Sequence, residues 1–138
     1  MRVVLDTNVL LVSIAPKSVY RPIFEALLAK EYELIVSNDV LSEYREIFEQ
    51  RANPIVATNV LEALTNLSNV VRQEIYVKWN IIEVDKDDNK FVDCAIASNC
   101  NYLVTNDKHF NVLKEHGNDL VKLIDINEFV NLLTEKNS

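Results

Sequence analysis

Asp6 closes the apolar run of VVLDTN, and Asp107 ends YLVTND two residues after Thr105. An acid at the carboxyl end of a buried strand is delivered to the edge where open α/β sheets bind ligands, although either one alone reads equally well as an Asx turn or helix cap. Glu43 stands one turn before Ile47 in DVLSEYREIF, at the border of an apolar helical stripe. A carboxylate there is partly desolvated, or is paired with a neighbour such as Arg45 or Arg51. Asp85, Asp87 and Asp88 lead into KFVDCAIASN, and three acids in four residues exceed what capping a helix requires. Asp93 lies inside that helix, among Phe91, Val92, Cys94, Ala95 and Ile96, one turn after Asn89. An acid in so apolar a setting requires a partner, either another charge or a metal.

Taken together, a strand-end Asp, a helix Glu, an Asp pair at the start of a later helix and a second strand-end Asp would converge on one edge of one sheet. Like charges at such a site raise one another's pKa unless a divalent cation neutralises them. The chain has two histidines, His109 and His116, and two cysteines, Cys94 and Cys100, so a metal site must be built mainly from oxygen ligands. That donor set points to Mg²⁺ or Mn²⁺, ions that orient a phosphate, activate water and stabilise developing charge in phosphodiester hydrolysis. Other chemistries are excluded or disfavoured. Gly117 is the one glycine, where average usage of about 7% would supply about ten, so neither a P-loop nor a dinucleotide fingerprint fits. Two cysteines support neither a disulfide framework nor a four-thiolate zinc site and are read as buried, reduced thiols. An aspartyl-phosphate phosphatase would want an Asp where Asn8 stands, and a phosphoacceptor receiver would want paired acids where LDTN has only Asp6.

The elements that must carry these residues follow from hydrophobic period. Short unbroken apolar runs at 2–5, 33–36, 80–84, 102–105 and 120–124 read as strands buried on both faces, and such strands pair in parallel. Helical patterns fall at 18–30, 39–50, 54–75, 89–99 and 127–136, with a short turn near 107–114. In the second of these, Val40, Leu41, Tyr44, Ile47 and Phe48 form one apolar face. Strand alternating with helix implies a three-layer α/β/α domain with a mostly parallel central sheet of about five strands. At 138 residues, with 49% hydrophobic and 25% charged and no linker or repeat, residues 1–138 read as a single domain. Val56, Val60, Leu64 and Leu67 read as core or subunit interface, and Trp79 as a packing residue that could instead stack a base.

These segments resemble the PIN-domain ribonucleases, and in particular the PIN toxins of bacterial type II toxin-antitoxin pairs (VapC-like). The carriers are VVLDTNVL, SNDVLSEY, DDNKFVDCAIASNCNYLVTNDKHF and the final strand and helix, which together span nearly the whole chain. The resemblance implies a divalent-metal endoribonuclease cutting single-stranded RNA by in-line attack of an activated water, without a covalent enzyme intermediate. Its carboxylates would be Asp6, Glu43, Asp107 and an acid of DDNKFVD, with Asn8, Thr105 and Asn106 as polar supports. One departure stands out: the acid that opens this helix in many relatives, eighteen residues before the strand-end Asp, is here Asn89. Asp93 is preferred in its place, because an acid inside the helix and on the same face has fewer structural reasons to exist. Asp88 is the second candidate. A site decayed to an RNA- or partner-binding module without cleavage is the competing expectation, and Asn89 is its support. His109 is expected to be structural or to contact RNA rather than to act as a base.

Fourteen Lys and Arg against 21 Asp and Glu give a net charge of −7, which argues against binding nucleic acid through bulk charge. Arg21, Arg45, Arg51, Lys86, Lys90 and Lys108 could supply a local basic rim, or be ordinary solvated side chains. The resemblance implies an RNA substrate and a homodimer, and together with the charge it implies a basic antitoxin segment as protein partner. No apolar run approaches the roughly 18 residues of a membrane span, and no signal peptide or anchor is read, so a cytoplasmic location is expected.

Overall fold

The computed structural model describes residues 1–115 and 121–136. Five strands form one sheet: β1 (Arg2–Leu5), β2 (Glu33–Val36), β3 (Val70–Arg72), β4 (Tyr102–Val104) and β5 (Leu123–Ile124). Every pairing is parallel, and the spatial order is β3-β2-β1-β4-β5. Seven helices accompany them among the described residues: α1 (Thr7–Ser13), α2 (Arg21–Leu28), α3 (Asn38–Arg51), α4 (Pro54–Asn66), α5 (Asn89–Ser98), α6 (Val112–Glu115) and α7 (Ile126–Lys136). This is the three-layer α/β/α architecture expected from the alternating pattern. Val3, Val4 and Leu5 of the central strand are fully buried although neighbouring side chains point to opposite faces, so both faces of the sheet are covered.

The packing follows the sequence pattern. Helix α2 packs against both α1 and α7, α3 and α4 form a hairpin, and α5 lies across β1, β2 and β4 and touches α3. The hairpin is fixed at both starts by side chains. The Ser37 hydroxyl accepts from the Val40 amide at 3.1 Å, and the Asn53 side chain accepts from the Val56 amide at 2.8 Å, satisfying donors that a helix start leaves free. Between the hairpin and the sheet, the buried Tyr44 hydroxyl donates to the Leu5 carbonyl at 2.6 Å. That bond ties α3 to the residue immediately before Asp6.

Helix α5 ends at Asn99, whose φ of 51° lies in the left-handed region. Asn tolerates that region better than most residues, but Gly enters it without steric cost. Asn99→Gly is therefore expected to raise stability by about 0.5 kcal/mol, a shift of roughly 2 °C in a thermal melt.

Two sequence assignments are corrected. The run 80–84 is not a strand. Asn80 adopts a φ of 51°, which breaks the extended backbone, and the backbone groups of Ile82 are taken up by the Asn89 side chain rather than by a neighbouring strand. The fifth strand is instead β3, from within the segment assigned to a helix at 54–75. Helix α4 stops at Leu67, which turns extended. Asn69 then donates from its buried side chain to the carbonyls of Leu27 and Tyr32, and the β-branched pair Val70 and Val71 joins β2. Helix α1, directly after β1, was not read from the sequence. The last strand is shorter than expected, and Leu120 lies outside the described residues.

Candidate metal centre

The chain leaves β1 toward β2 on one side and later returns to lay β4 along the other. A sheet with that reversal forms a crevice outside the carboxyl ends of the two strands, where ligands bind in open α/β folds. Asp6 follows β1 and Thr105, Asn106 and Asp107 follow β4, so the crevice is lined by the residues singled out in the sequence. The Asp6 amide donates to the Val104 carbonyl at 3.0 Å, which extends the strand pairing into the site itself.

Asp6 occupies the N-cap position of α1, yet its carboxylate makes no capping bond to that helix. It is held instead by the Thr105 hydroxyl, which donates to Oδ2 at 2.8 Å. The same hydroxyl oxygen accepts from the Asp107 amide at 3.0 Å, so Thr105 fixes both strand-end acids with one side chain. Burial pushes the Asp6 carboxyl up to about 6; the nearby charges of Asp107 and Glu43 add to this, and the Thr105 hydroxyl and Thr7 amide oppose it. The charges of Asp107 and Glu43 thus reach Asp6.

Asp88 joins this group. It stands at the N-cap of α5 without capping it, it is buried, and its Oδ2 has no hydrogen-bond partner. Burial raises its carboxyl to about 7, reinforced by the charges of Asp85, Asp107 and Asp6 and offset by the His109 imidazole. An orphaned carboxylate oxygen aimed among other acids is the donor a hard divalent cation takes up. Asp107 is different, because one of its oxygens caps the following turn by accepting from the His109 amide at 2.9 Å. Glu43 reaches the site from α3 and is paired with Lys90 of α5 at 3.0 Å, largely out of solvent.

Asp93 is not brought to this edge. Its Oδ1 accepts from the Trp79 amide at 3.0 Å, and the charges that act on it are those of Lys78 and Asp39. One turn earlier on α5, Asn89 both donates to the Ile82 carbonyl and accepts from the Ile82 amide, each at 2.8 Å. The 89/93 face of the helix thus grips the extended segment that crosses it. This explains why an amide suits position 89: it can donate and accept, and a carboxylate cannot do both.

The supporting residues are more dispersed. Asn8 is exposed and accepts from Arg51 at 3.3 Å. Asn106 accepts from the Ile126 amide at 3.0 Å and so fixes the start of α7. A cavity of about 300 Å³ opens beside Asp6 and Asp107, walled by Asn8, Asn106, Val12 and Tyr20. Of the basic residues, Lys90 and Arg51 reach the site, whereas Arg45 pairs with Glu49. Arg21 lies between Glu25, the Phe24 ring and the Ile14 carbonyl. Cys94 and Cys100 are free and buried, and burial pushes the Cys94 thiol up to about 12, which leaves it unreactive. Trp79 is half exposed rather than packed in the core.

Two neighbours of the acids were not chosen from the sequence. His109 Nδ1 lies 3.5 Å from Asp88 Oδ2 and 3.4 Å from Asp107 Oδ1. Asp85, Asp88 and His109 offer ligand atoms all within 4.8 Å of one another. Both residues lie within three positions of a chosen acid, and that proximity was the available signal.

The raised carboxyls make stability depend on pH. Asp6 and Asp88 hold protons more tightly in the fold than in the unfolded chain, where ordinary values are near 3.8. Their contribution is therefore fully present below about pH 4 and is lost as pH rises through 6 to 7. In EDTA, the melting temperature is expected to fall between pH 5 and pH 8. Mn²⁺ should raise it more at pH 8 than at pH 5, as thermal scans at several pH values would show.

An acid-lined crevice at the switch point of a 3-2-1-4-5 parallel sheet defines a class of α/β domains. Within it, this chain belongs to the PIN-domain family, whose model matches residues 2–109. Its fold is similar to that in the crystal structure of VapBC2 from Rickettsia felis bound to a DNA fragment from their promoter. The TM-score is 0.60 at 20% identity, covering 91% of this chain and 98% of that one. It is likewise similar to that in DNA-bound VapBC from Salmonella typhimurium, with a TM-score of 0.58 at 18% identity and coverage of 91% and 98%. No curated protein matches the chain significantly by sequence. Among the described residues, no helix is long and apolar enough to cross a membrane.

Proposed function

We propose that the protein is a divalent-metal-dependent endoribonuclease that hydrolyses phosphodiester bonds of single-stranded RNA, and that it is the toxin of a toxin-antitoxin pair. The observation that carries this reading is the buried Oδ2 of Asp88, which has no hydrogen-bond partner and lies under the charges of Asp85, Asp107 and Asp6. Residues so arranged fit Mg²⁺ or Mn²⁺, with Asp6, Glu43, Asp88 and Asp107 as the ligand set and Asp93 left to hold the segment around Trp79. A bound ion supplies the Lewis-acid charge that activates water and stabilises negative charge developing on the phosphate oxygens. Thr105 holds the Asp6 and Asp107 loops in register, so their carboxylates reach the cleft without rearrangement. Lys90, beside Glu43, limits the repulsion among the acids, and exposed Arg51 stands where an RNA backbone entering the cleft would need positive charge.

Asn89 gives the decayed-module reading little support, because its amide is committed to Ile82 and Asp88 offers the acid. Two structural neighbours are VapBC complexes bound to DNA. For this chain we infer a protein antitoxin with a basic segment, suited to the net charge of −7, and a homodimer. The test is cleavage of an RNA panel with Mn²⁺, with Mg²⁺ and with EDTA. Cleavage dependent on metal is expected, and metal binding without any cleavage across the panel would favour the binding module.

A further inference from the structure

Strand β3 ends the sheet on the side away from the acids, and it has a strand neighbour, β2, on one side only. The Leu34 amide donates to the Asn69 carbonyl at 2.9 Å and the Gln73 amide to the Val36 carbonyl at 2.7 Å. Residues 69 and 73 therefore turn their backbone groups toward β2, and by the alternation of a strand 70, 72 and 74 turn theirs outward. The chain keeps this pattern beyond its last paired residue. Arg72, Glu74 and Tyr76 are exposed while Val71, Gln73 and Ile75 are partly buried, and the Trp79 amide again points inward, to Asp93 at 3.0 Å. Among the described residues, no backbone carbonyl accepts from the amides of Glu74, Tyr76 or Lys78. Tyr76 is 88% exposed, with Val77 and Trp79 exposed beside it. An apolar, β-prone run with unused outward amides is a template for a further strand.

We propose that this edge pairs with the same edge of a second copy of the chain, antiparallel about a two-fold axis at Tyr76, so that two five-stranded sheets join into one. The interface rests on the homodimer inferred above and names its surface. Charge selects the register. With Tyr76 opposite its own copy, Glu74 of each chain faces Lys78 of the other, twice by symmetry. Among the described residues, neither side chain is in a salt bridge within its own chain. Ile75 then faces Val77 as a non-hydrogen-bonded pair, where cross-strand side chains lie closest. A two-fold at Ile75 would keep the outward backbone bonds but set Arg72 against Lys78, and one at Glu74 would set that carboxylate against its own copy. Because the axis reverses strand direction, the two acid-lined crevices lie at opposite edges of the joined sheet.

The test is sedimentation equilibrium of the whole chain at low salt, for wild type, Glu74→Lys, Lys78→Glu and the double exchange. Both side chains are exposed, so the exchanges leave the fold intact. Wild type is expected to be dimeric, each single variant to have a dimer Kd raised about tenfold, and the double exchange to return to within about threefold of wild type. An equimolar mixture of the two single variants should form mixed dimers more tightly than either variant pairs with itself. High salt should shrink all of these differences. A dimer indifferent to every exchange would overturn this interface and leave the homodimer reading to another surface, whereas a monomeric wild type would overturn both. A monomer whose affinity for single-stranded RNA falls on Tyr76→Ala would give the segment to nucleic acid instead.

Discussion

Asp88→Asn is expected to lower metal-dependent RNA cleavage by about 100-fold or more, whereas Asp93→Asn should leave it within about threefold. The contrast follows from what each carboxylate touches. Asp88 has a buried oxygen without a hydrogen-bond partner and is acted on by the charges of Asp85, Asp107 and Asp6. Asp93 is engaged with the Trp79 amide, away from those charges. Asparagine at 93 keeps an oxygen that can accept from that amide, so function should survive. Alanine there removes the acceptor and is expected to cost about 1 to 2 kcal/mol of stability through the freed amide. Single-turnover rates at saturating Mn²⁺, read beside thermal melts, separate the two roles. An inactive Asp93→Asn beside an active Asp88→Asn would reverse the assignment.

That pair of residues shows where sequence reading stops. The strand-end acids were legible because an unbroken apolar run fixes both the strand and the residue that leaves it. The sheet class was legible for the same reason. Glu43 was placed correctly at the edge of its apolar stripe, but its partner is Lys90 on another helix, not Arg45 or Arg51 on its own. Choosing between Asp88 and Asp93 depended on which side of α5 faces the cleft. Helical period alone could not decide this, because an extended segment without regular pairing covers the 89/93 face. The same segment misled the strand assignment: at 80–84 the composition is that of a buried strand, while its polar backbone is satisfied by a side chain. Conversely, β3 is so short that helical periodicity continued from α4 masked it.

Asp6→Asn is expected to abolish cleavage to within about 0.1 to 1% of wild type and, at the same time, to stabilise the metal-free fold. At about pH 7.5 the wild-type carboxyl, raised to about 6, is ionised in a buried setting near two other acids. Removing that charge should add about 1 to 2 kcal/mol in EDTA, because a neutral amide oxygen can still accept from the Thr105 hydroxyl while the repulsion from Asp107 and Glu43 disappears. Saturating Mn²⁺ should reverse the order, since wild type gains the free energy of binding and the variant gains less of it. The opposite signs matter more than either size. A residue retained merely to hold the β1 end in place would lose stability on substitution with and without metal. A loss in EDTA would therefore return Asp6 to a structural role, whatever the cleavage assay shows.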